Sequence, residues 1–254
     1  MNKSIGFIGG GRITKIILQA FQNKGFTPQK VVVTDTNMIT TAALKQEFPH
    51  IEIVGPEESA KQEVVFIALH PPVIMEMLGK IKDSVNPDAL VISLAPKITI
   101  EKISRKLNDH KLVARLIPNA TSVINEGYNP VSFSPTFTTK SEILEMLSLL
   151  GDTFETEESK LEAYAIISAM LPTYFWFQWQ QCLKIGENIG LSADESRKAV
   201  SQTLDKAIQT MFSSDLTYDQ VIDLIPVKPI GDHETEIKDI FSSNLETLYR
   251  RIQP

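Results

Sequence analysis

Residues 5–14 read Ile5-Gly6-Phe7-Ile8-Gly9-Gly10-Gly11-Arg12-Ile13-Thr14. A short apolar run gives way to three glycines and then to residues at helical spacing. Ile13, Ile16, Ile17 and Ala20 share one face, and Gly25 suits the end of that helix. Strand, glycine turn and helix in this order make an anion cradle. Gly9 permits the tight turn, and Gly11 lets backbone approach a pyrophosphate with no Cβ in the way. The helix start offers unpaired N–H groups and a partial positive charge. Thr14 occupies the third small position of the pattern. Gly9, Gly10, Gly11, Arg12 and Ile13 are therefore candidate dinucleotide contacts. The competing reading is a glycine-rich turn with no ligand.

Working outward, apolar runs recur at Val31–Thr34, Ile51–Val54, Val64–Leu69, Leu90–Leu94 and Leu112–Leu116, with helical segments between most of them. Near-continuous apolar strands separated by helices predict a parallel sheet covered on both faces. Ser132–Ser134 is a further strand candidate, and a Thr139-x-x-Glu142 capping box opens a helix to Leu150. Asp35 follows the second strand, where a carboxylate can hold the ribose diol of NAD. Thr36 and Asn37 are the alternative contacts for a 2′-phosphate, so the cofactor is NAD(P) with the choice open.

After residue 156 the strand signal largely stops. Ser159–Ile189 is one long apolar, aromatic-rich helical pattern interrupted at Pro172. Ser192-x-x-Glu195 is a second capping box, followed at helical spacing by Ala199, Val200, Thr203, Leu204, Ala207, Ile208 and Met211. Ile237, Ile240, Phe241, Leu245 and Leu248 trace a last helix. The fold class is thus a Rossmann-type, doubly wound parallel sheet over residues 1–156, followed by an all-helical domain over 157–254. Helices apolar on more than one side want a second packing partner, so the expectation is a homodimer through the helical domain. Tyr174, Phe175, Trp176, Phe177 and Trp179 then read as core or subunit interface, and Cys182 as an inert buried thiol.

Composition sets limits. With 43% apolar and 22% charged residues in 254, the chain is not a disordered one. A net charge of −6 gives no general attraction to nucleic acid or anionic membranes. One cysteine excludes an internal disulfide framework. The histidines (His50, His70, His110, His233) are scattered, so no metal site is expected. No apolar run suits a membrane span, and no signal-peptide pattern is present. The expected location is the cytoplasm.

The motifs now align with a known family. Gly6–Ile13 resembles the G-F-I-G-x-G-N-M opening of pyrroline-5-carboxylate reductases. Ala68-Leu69-His70-Pro71-Pro72 is similar to A-V-K-P-Q, and Ser93–Thr99 to S-I-A-A-G-I-T. Arg115–Thr121 followed by Asn125-Glu126-Gly127 is similar to R-V-M-P-N-T-P and its G-E-G turn. Ser168–Tyr174 stands in place of S-G-S-G-P-A-Y. The resemblance implies an NAD(P)H-dependent reductase that passes hydride to the C=N carbon of a small cyclic imino acid, with interlocked helical domains in a dimer. It implies cofactor contacts at Leu69, His70 and Ala95.

The departures from the family bear on the substrate. The S-P-G-G-T-T loop corresponds to Lys228-Pro229-Ile230-Gly231-Asp232-His233. Asp232 would oppose a substrate carboxylate, whereas Lys228 and His233 would attract one. Met170 and Leu171 replace small residues, and Lys97 replaces a glycine. These changes predict a substrate other than that of the parent enzymes. Three residues are candidates for catalysis. His70 ends a strand and could touch nicotinamide or donate a proton, or be an ordinary loop histidine. Asn119 also ends a strand, and His233 lies in the altered loop. The rival readings are a β-hydroxyacid dehydrogenase, a coenzyme-F420-dependent NADP reductase, and a non-catalytic dinucleotide-binding regulator or scaffold dimer.

Overall fold

Eight strands hydrogen-bond into one sheet: β1 (Ser4–Ile8), β2 (Lys30–Thr34), β3 (Glu52–Ile53), β4 (Val64–Ile67), β5 (Leu90–Ser93), β6 (Val113–Leu116), β7 (Gly127–Phe133) and β8 (Gly151–Glu155). The structure, a computed structural model, describes residues 3–137 and 140–254. The strand order is β3-β2-β1-β4-β5-β6-β7-β8. The first six strands run parallel, β7 is antiparallel to β6, and β8 is parallel to β7. The order reverses between β1 and β4, the point at which such sheets open a ligand crevice beyond their strand ends.

Helices α1 (Arg12–Asn23), α2 (Met38–Glu47), α3 (Pro56–Ala60), α4 (Pro71–Ile81), α5 (Ile100–Lys106) and α6 (Lys140–Leu147) cover the sheet. Alternation along β1 divides the core. Phe7 joins Ile17, Phe21, Val33 and Phe66 on one face, stacked on Phe66 at 4.9 Å. Ile8 joins Val65, Ile67, Ile74 and Leu78 on the other. The capping box expected at Thr139 lies outside the described residues.

Two strands differ from expectation. The short candidate at Ser132–Ser134 is the end of the seven-residue β7, which begins at Gly127. β8, Gly-Asp-Thr-Phe-Glu, carries no apolar run because it is a half-exposed edge strand.

The segment after the sheet is not one helix. A 3₁₀ turn (Glu158–Lys160) leads into α7 (Leu161–Tyr164), a π turn (Ala165–Ala169) and then α8 (Leu171–Asn188). Pro172 has no N–H to return to Ser168 O. That carbonyl instead accepts from Asn119 Nδ2 at 3.0 Å. Helices α9 (Ala193–Ser213), α10 (Tyr218–Asp223) and α11 (Glu234–Ile252) follow. The Ser192–Glu195 box closes as expected: Glu195 N donates to Ser192 Oγ, and Ser192 N donates to Glu195 Oε2 at 2.8 Å. The Ser192 hydroxyl, donating to Glu195 Oε2 at 2.6 Å, and then the Ser192 N–H hold the Glu195 carboxyl below the usual carboxylate range.

Contacts divide the chain into two units. One holds the residues up to Met170 together with Leu248–Pro254, and the other is Leu171–Thr247. Glu158–Ala169, beyond the boundary expected at residue 156, stays with the sheet. Its two carboxylates meet Arg115 of β6, which has no exposed surface: Glu162 at 2.5 Å and Glu158 at 3.0 Å.

His110 ties the turn after α5 to the entry of β5, with Nε2 2.7 Å from Ala89 O. Burial lowers its pKa, against the smaller opposing effects of that hydrogen bond and of Asp88. A depressed histidine pKa means that the unfolded chain takes up the proton first. The stability His110 confers is therefore full above about pH 6.5 and declines as pH falls from there toward the folded value. Thermal unfolding from pH 8 to pH 5 should show the wild-type lead over His110→Gln shrinking below pH 6.5; a lead that stays constant contradicts this.

Candidate nucleotide-binding site

The glycine turn is built by three constraints. Gly9 has φ +108°, and a Cβ there would lie 2.3 Å from Ala68 O at the end of β4. Only glycine meets both conditions. Its N–H donates to Thr34 O at 2.8 Å, fixing the turn to β2. Thr14, fully buried, donates its hydroxyl to Gly9 O at 2.6 Å. The third position of the pattern thus carries a hydroxyl that satisfies the turn's own carbonyl, a use the pattern alone does not announce.

Gly11 differs from Gly9. It is the N-cap of α1 with φ −73°, and a Cβ built there meets nothing within 4 Å. No side chain caps the helix. The first helical bond, Lys15 N to Gly11 O, forms at 3.2 Å, so the first turn keeps the unpartnered N–H groups of a helix start. An uncapped helix start beside an open glycine suits the diphosphate of a dinucleotide.

These residues line a cleft of about 830 Å³ within the sheet unit. Gly10, Gly11, Arg12 and Ile13 contribute from the turn, Leu69 and His70 from the end of β4, and Ala95 from the end of β5. The sequence pattern did not reveal the contribution of α2, which supplies Ile39, Thr40, Ala43, Leu44 and Glu47. Ile39 is 82% exposed, an apolar surface of the kind an adenine ring covers. Its only sequence signal is Asn37, whose Oδ1 accepts from Ile39 N at 2.9 Å and Thr40 N at 3.3 Å and so starts the helix.

Asp35 stands beside the turn. Oδ2 accepts from Gly10 N and Oδ1 from Asn37 N, each at 2.8 Å. The carboxylate orders both turns and keeps acceptor capacity for a diol. Thr36 and Asn37 are exposed next to it. His70, exposed, is the N-cap of α4, held extended by Pro71, and makes no side-chain cap bond.

The remaining candidates are not among the residues that line this cleft. Asn119 is buried and its amide is used within the fold. Nδ2 donates to Ser168 O, and Oδ1 accepts from Thr121 N and Thr121 Oγ1 at about 3 Å. His233 belongs to the helical unit, exposed at the 3₁₀ turn Gly231–His233, with Nδ1 3.4 Å from Glu236 Oε2. Cys182, expected to be buried, is exposed on α8. Trp176 and Phe177 are 47% and 68% exposed, so they are not core of the single chain.

Comparison with known proteins agrees with this geometry. Residues 4–97, from β1 to just past β5, match the family model described as NADP oxidoreductase, coenzyme F420-dependent. Pyrroline-5-carboxylate reductases from Corynebacterium melassecola and Pseudomonas aeruginosa are 23% and 22% identical, over 82% and 96% of this chain and 79% and 90% of their own. A crystal structure of Plasmodium falciparum pyrroline carboxylate reductase with NADP bound is similar with a TM-score of 0.82 at 19% identity, covering 99% of this chain and 97% of that one. A pyrroline-5-carboxylate reductase from Coxiella burnetii gives 0.71 at 23%, covering 99% and 95%. The structural likeness shows the fold.

The two glycines separate folding from binding. Gly9→Ala should lose about 2 kcal/mol of stability or more, through steric overlap and a disfavoured backbone. Gly11→Ala should stay within about 1 kcal/mol of wild type, the scale of an N-cap change. It should nevertheless weaken dinucleotide binding at least about tenfold. Thermal melts and a fluorescence titration with NADH and NADPH measure both. Unchanged affinity in folded Gly11→Ala would remove the diphosphate from this turn.

Proposed function

We propose that this pyrroline-5-carboxylate-reductase-like chain is an NAD(P)-dependent oxidoreductase that reduces a C=N (or C=O) bond of a small substrate. The observation that carries the reading is the open space at Gly11 over an uncapped helix start, at the reversal point of a parallel sheet. A bound reduced nicotinamide supplies hydride to an electron-poor carbon. The chain's own residues hold and orient. Gly9–Ile13 take the diphosphate, and the Arg12 guanidinium adds charge at the cleft. Asp35 faces the adenosine ribose, with Thr36 and Asn37 beside it. Leu69, His70 and Ala95 line the cofactor's path, and His70 is the candidate proton donor to the substrate nitrogen. His233, with Lys228 close in sequence, is the candidate for drawing an anionic substrate. Asn119 serves by fixing the turn after β6.

The helical unit supports a homodimer. Between Leu171 and Thr247 only Gly186 and Ser196 are buried among the described residues. Large apolar side chains such as Phe177, Ile189, Phe212 and Ile225 are more than two-thirds exposed. That much exposed apolar surface marks an interface, and the symmetric partner of commonest type is a second copy. No described helix is long and apolar enough to cross a membrane. A dinucleotide-dependent reductase with a single cysteine belongs in the cytoplasm.

Two measurements test this. Consumption of NADH and of NADPH should be followed separately with pyrroline-5-carboxylate and then with a panel of cyclic imines. Turnover of about 1–1000 per second with any of them supports the reading. Cofactor binding without turnover on any imine or ketone favours a regulator or scaffold, and failure to bind either dinucleotide ends the oxidoreductase reading. Light scattering should give twice the 28.4 kDa chain mass. Phe212→Asp should shift the population toward monomer, and a wild-type monomer at micromolar concentration contradicts the dimer.

A further inference from the structure

The loop joining β5 to α5 runs from Leu94 to Thr99, and its Leu94, Ala95 and Pro96 line the nucleotide cleft. Immediately beyond them Lys97 adopts φ +76°, the left-handed region that a residue with a Cβ enters only when its surroundings impose it. Those surroundings are visible. Lys97 N donates to Glu162 Oε1 at 3.0 Å, and Ile100 N donates to Glu158 Oε1 at 2.7 Å. The same two oxygens are held by Arg115, Glu162 Oε1 from Nη2 at 2.5 Å and Glu158 Oε1 from Nη1 at 3.0 Å. Arg115 also reaches the loop directly, with Nη2 3.5 Å from Ala95 O. Arg115 has no exposed surface and Glu162 is 2% exposed.

We propose that Arg115, Glu158 and Glu162 are positioning residues that clamp the Ala95–Ile100 loop into the cleft wall and enforce the left-handed backbone at Lys97. The inference rests on the dinucleotide reading of that cleft. The clamp has the features such a device needs. Glu162 is fixed from beneath by a guanidinium that cannot move into solvent, and it grips a backbone N–H, so it dictates a loop conformation rather than a side-chain position. Arg115 leaves Nε without a partner, as the guanidinium is turned toward the two carboxylates and the loop. Two attachments, at Lys97 and Ile100, flank the Thr99 N-cap of α5 and set where that helix starts.

The test exploits the backbone. Glycine enters the left-handed region without enforcement, so a loop carrying glycine at position 97 no longer depends on Glu162. Four proteins are compared by reduced-dinucleotide titration and by thermal melting: wild type, Glu162→Ala, Lys97→Gly and the double variant. Glu162→Ala should weaken NADH or NADPH binding about tenfold, which is 1.4 kcal/mol, and lower Tm. The double variant should recover affinity to within about threefold of Lys97→Gly alone, while its Tm stays low because Arg115 is still short of a partner. If Glu162→Ala does not fold, Glu162→Gln replaces it; this retains an acceptor but gives up the charge, and about threefold weaker binding is expected. Unchanged affinity in either Glu162 variant overturns the proposal. So does a loss that glycine at position 97 does not recover, because Glu162 would then act on stability alone. A wild-type protein that binds neither dinucleotide overturns the functional reading and this one with it. Wild-type binding with an indifferent Glu162 overturns only this one.

Discussion

A guanidinium with no exposed surface sits inside β6, and the segment that follows the last strand supplies the charges that neutralise it. Moving an ion of that kind out of water costs several kcal/mol unless opposite charges and hydrogen bonds meet it where it lies. Glu158 and Glu162 do so. Both come from the stretch after β8, so the chain must return to the C-terminal end of β6 before it enters the helical unit. A 3₁₀ turn and α7, a single turn of α-helix, carry the two carboxylates there, ahead of the π turn and Pro172. Pro172, which has no N–H to offer, leaves Ser168 O free for Asn119. The buried charge is thus met from two consecutive elements, the 3₁₀ turn that carries Glu158 and α7 that carries Glu162.

Most of the sheet was legible because its strands are buried on both faces and read as apolar runs. The runs at Ile5, Val31, Val64, Leu90 and Leu112 each mark a strand to within a residue or two. β8 escaped because an edge strand with one open face has no such run. The interruption at Pro172 was visible in the sequence, but the π turn just before it, Ala165–Ala169, was not, because its residues are apolar and helix-compatible. Val113-Ala114-Arg115-Leu116 did contain a clue, since an arginine within an apolar strand needs a partner. α10 was also readable in retrospect from Thr217 and Gln220, whose side chains form a reciprocal cap.

The site was half legible. The glycine turn is a local feature, so its strand, turn and helix stand in the order the residues imply. Gly9 and Gly11 look alike in sequence yet do opposite work: one is pressed against Ala68 O and the other faces open space. The glycine pattern already assigns Gly9 the tight turn and Gly11 the open approach; the contact with Ala68 O depends on where β4 ends, which no local pattern records. The α2 wall is similar, because Ile39 gains meaning only once Asn37 has turned the helix across the cleft. The surplus of apolar positions in the helical unit predicts a packing partner, and the exposure of Trp176 and Phe177 follows from the same surplus.

The sheet is bordered by β3 and β8. β3 is only two residues long, and β8 is polar and half-exposed, with Glu155 paired to Lys140 beside it. Neither border offers a long, flat, apolar row of free backbone groups to a foreign strand. The protein is thus poorly suited to growing by strand addition, the route that leads to open-ended fibres. Its large exposed apolar side chains, such as Phe177 and Phe212, stand on helices instead, where side-chain shape rather than backbone hydrogen bonding would select what covers them.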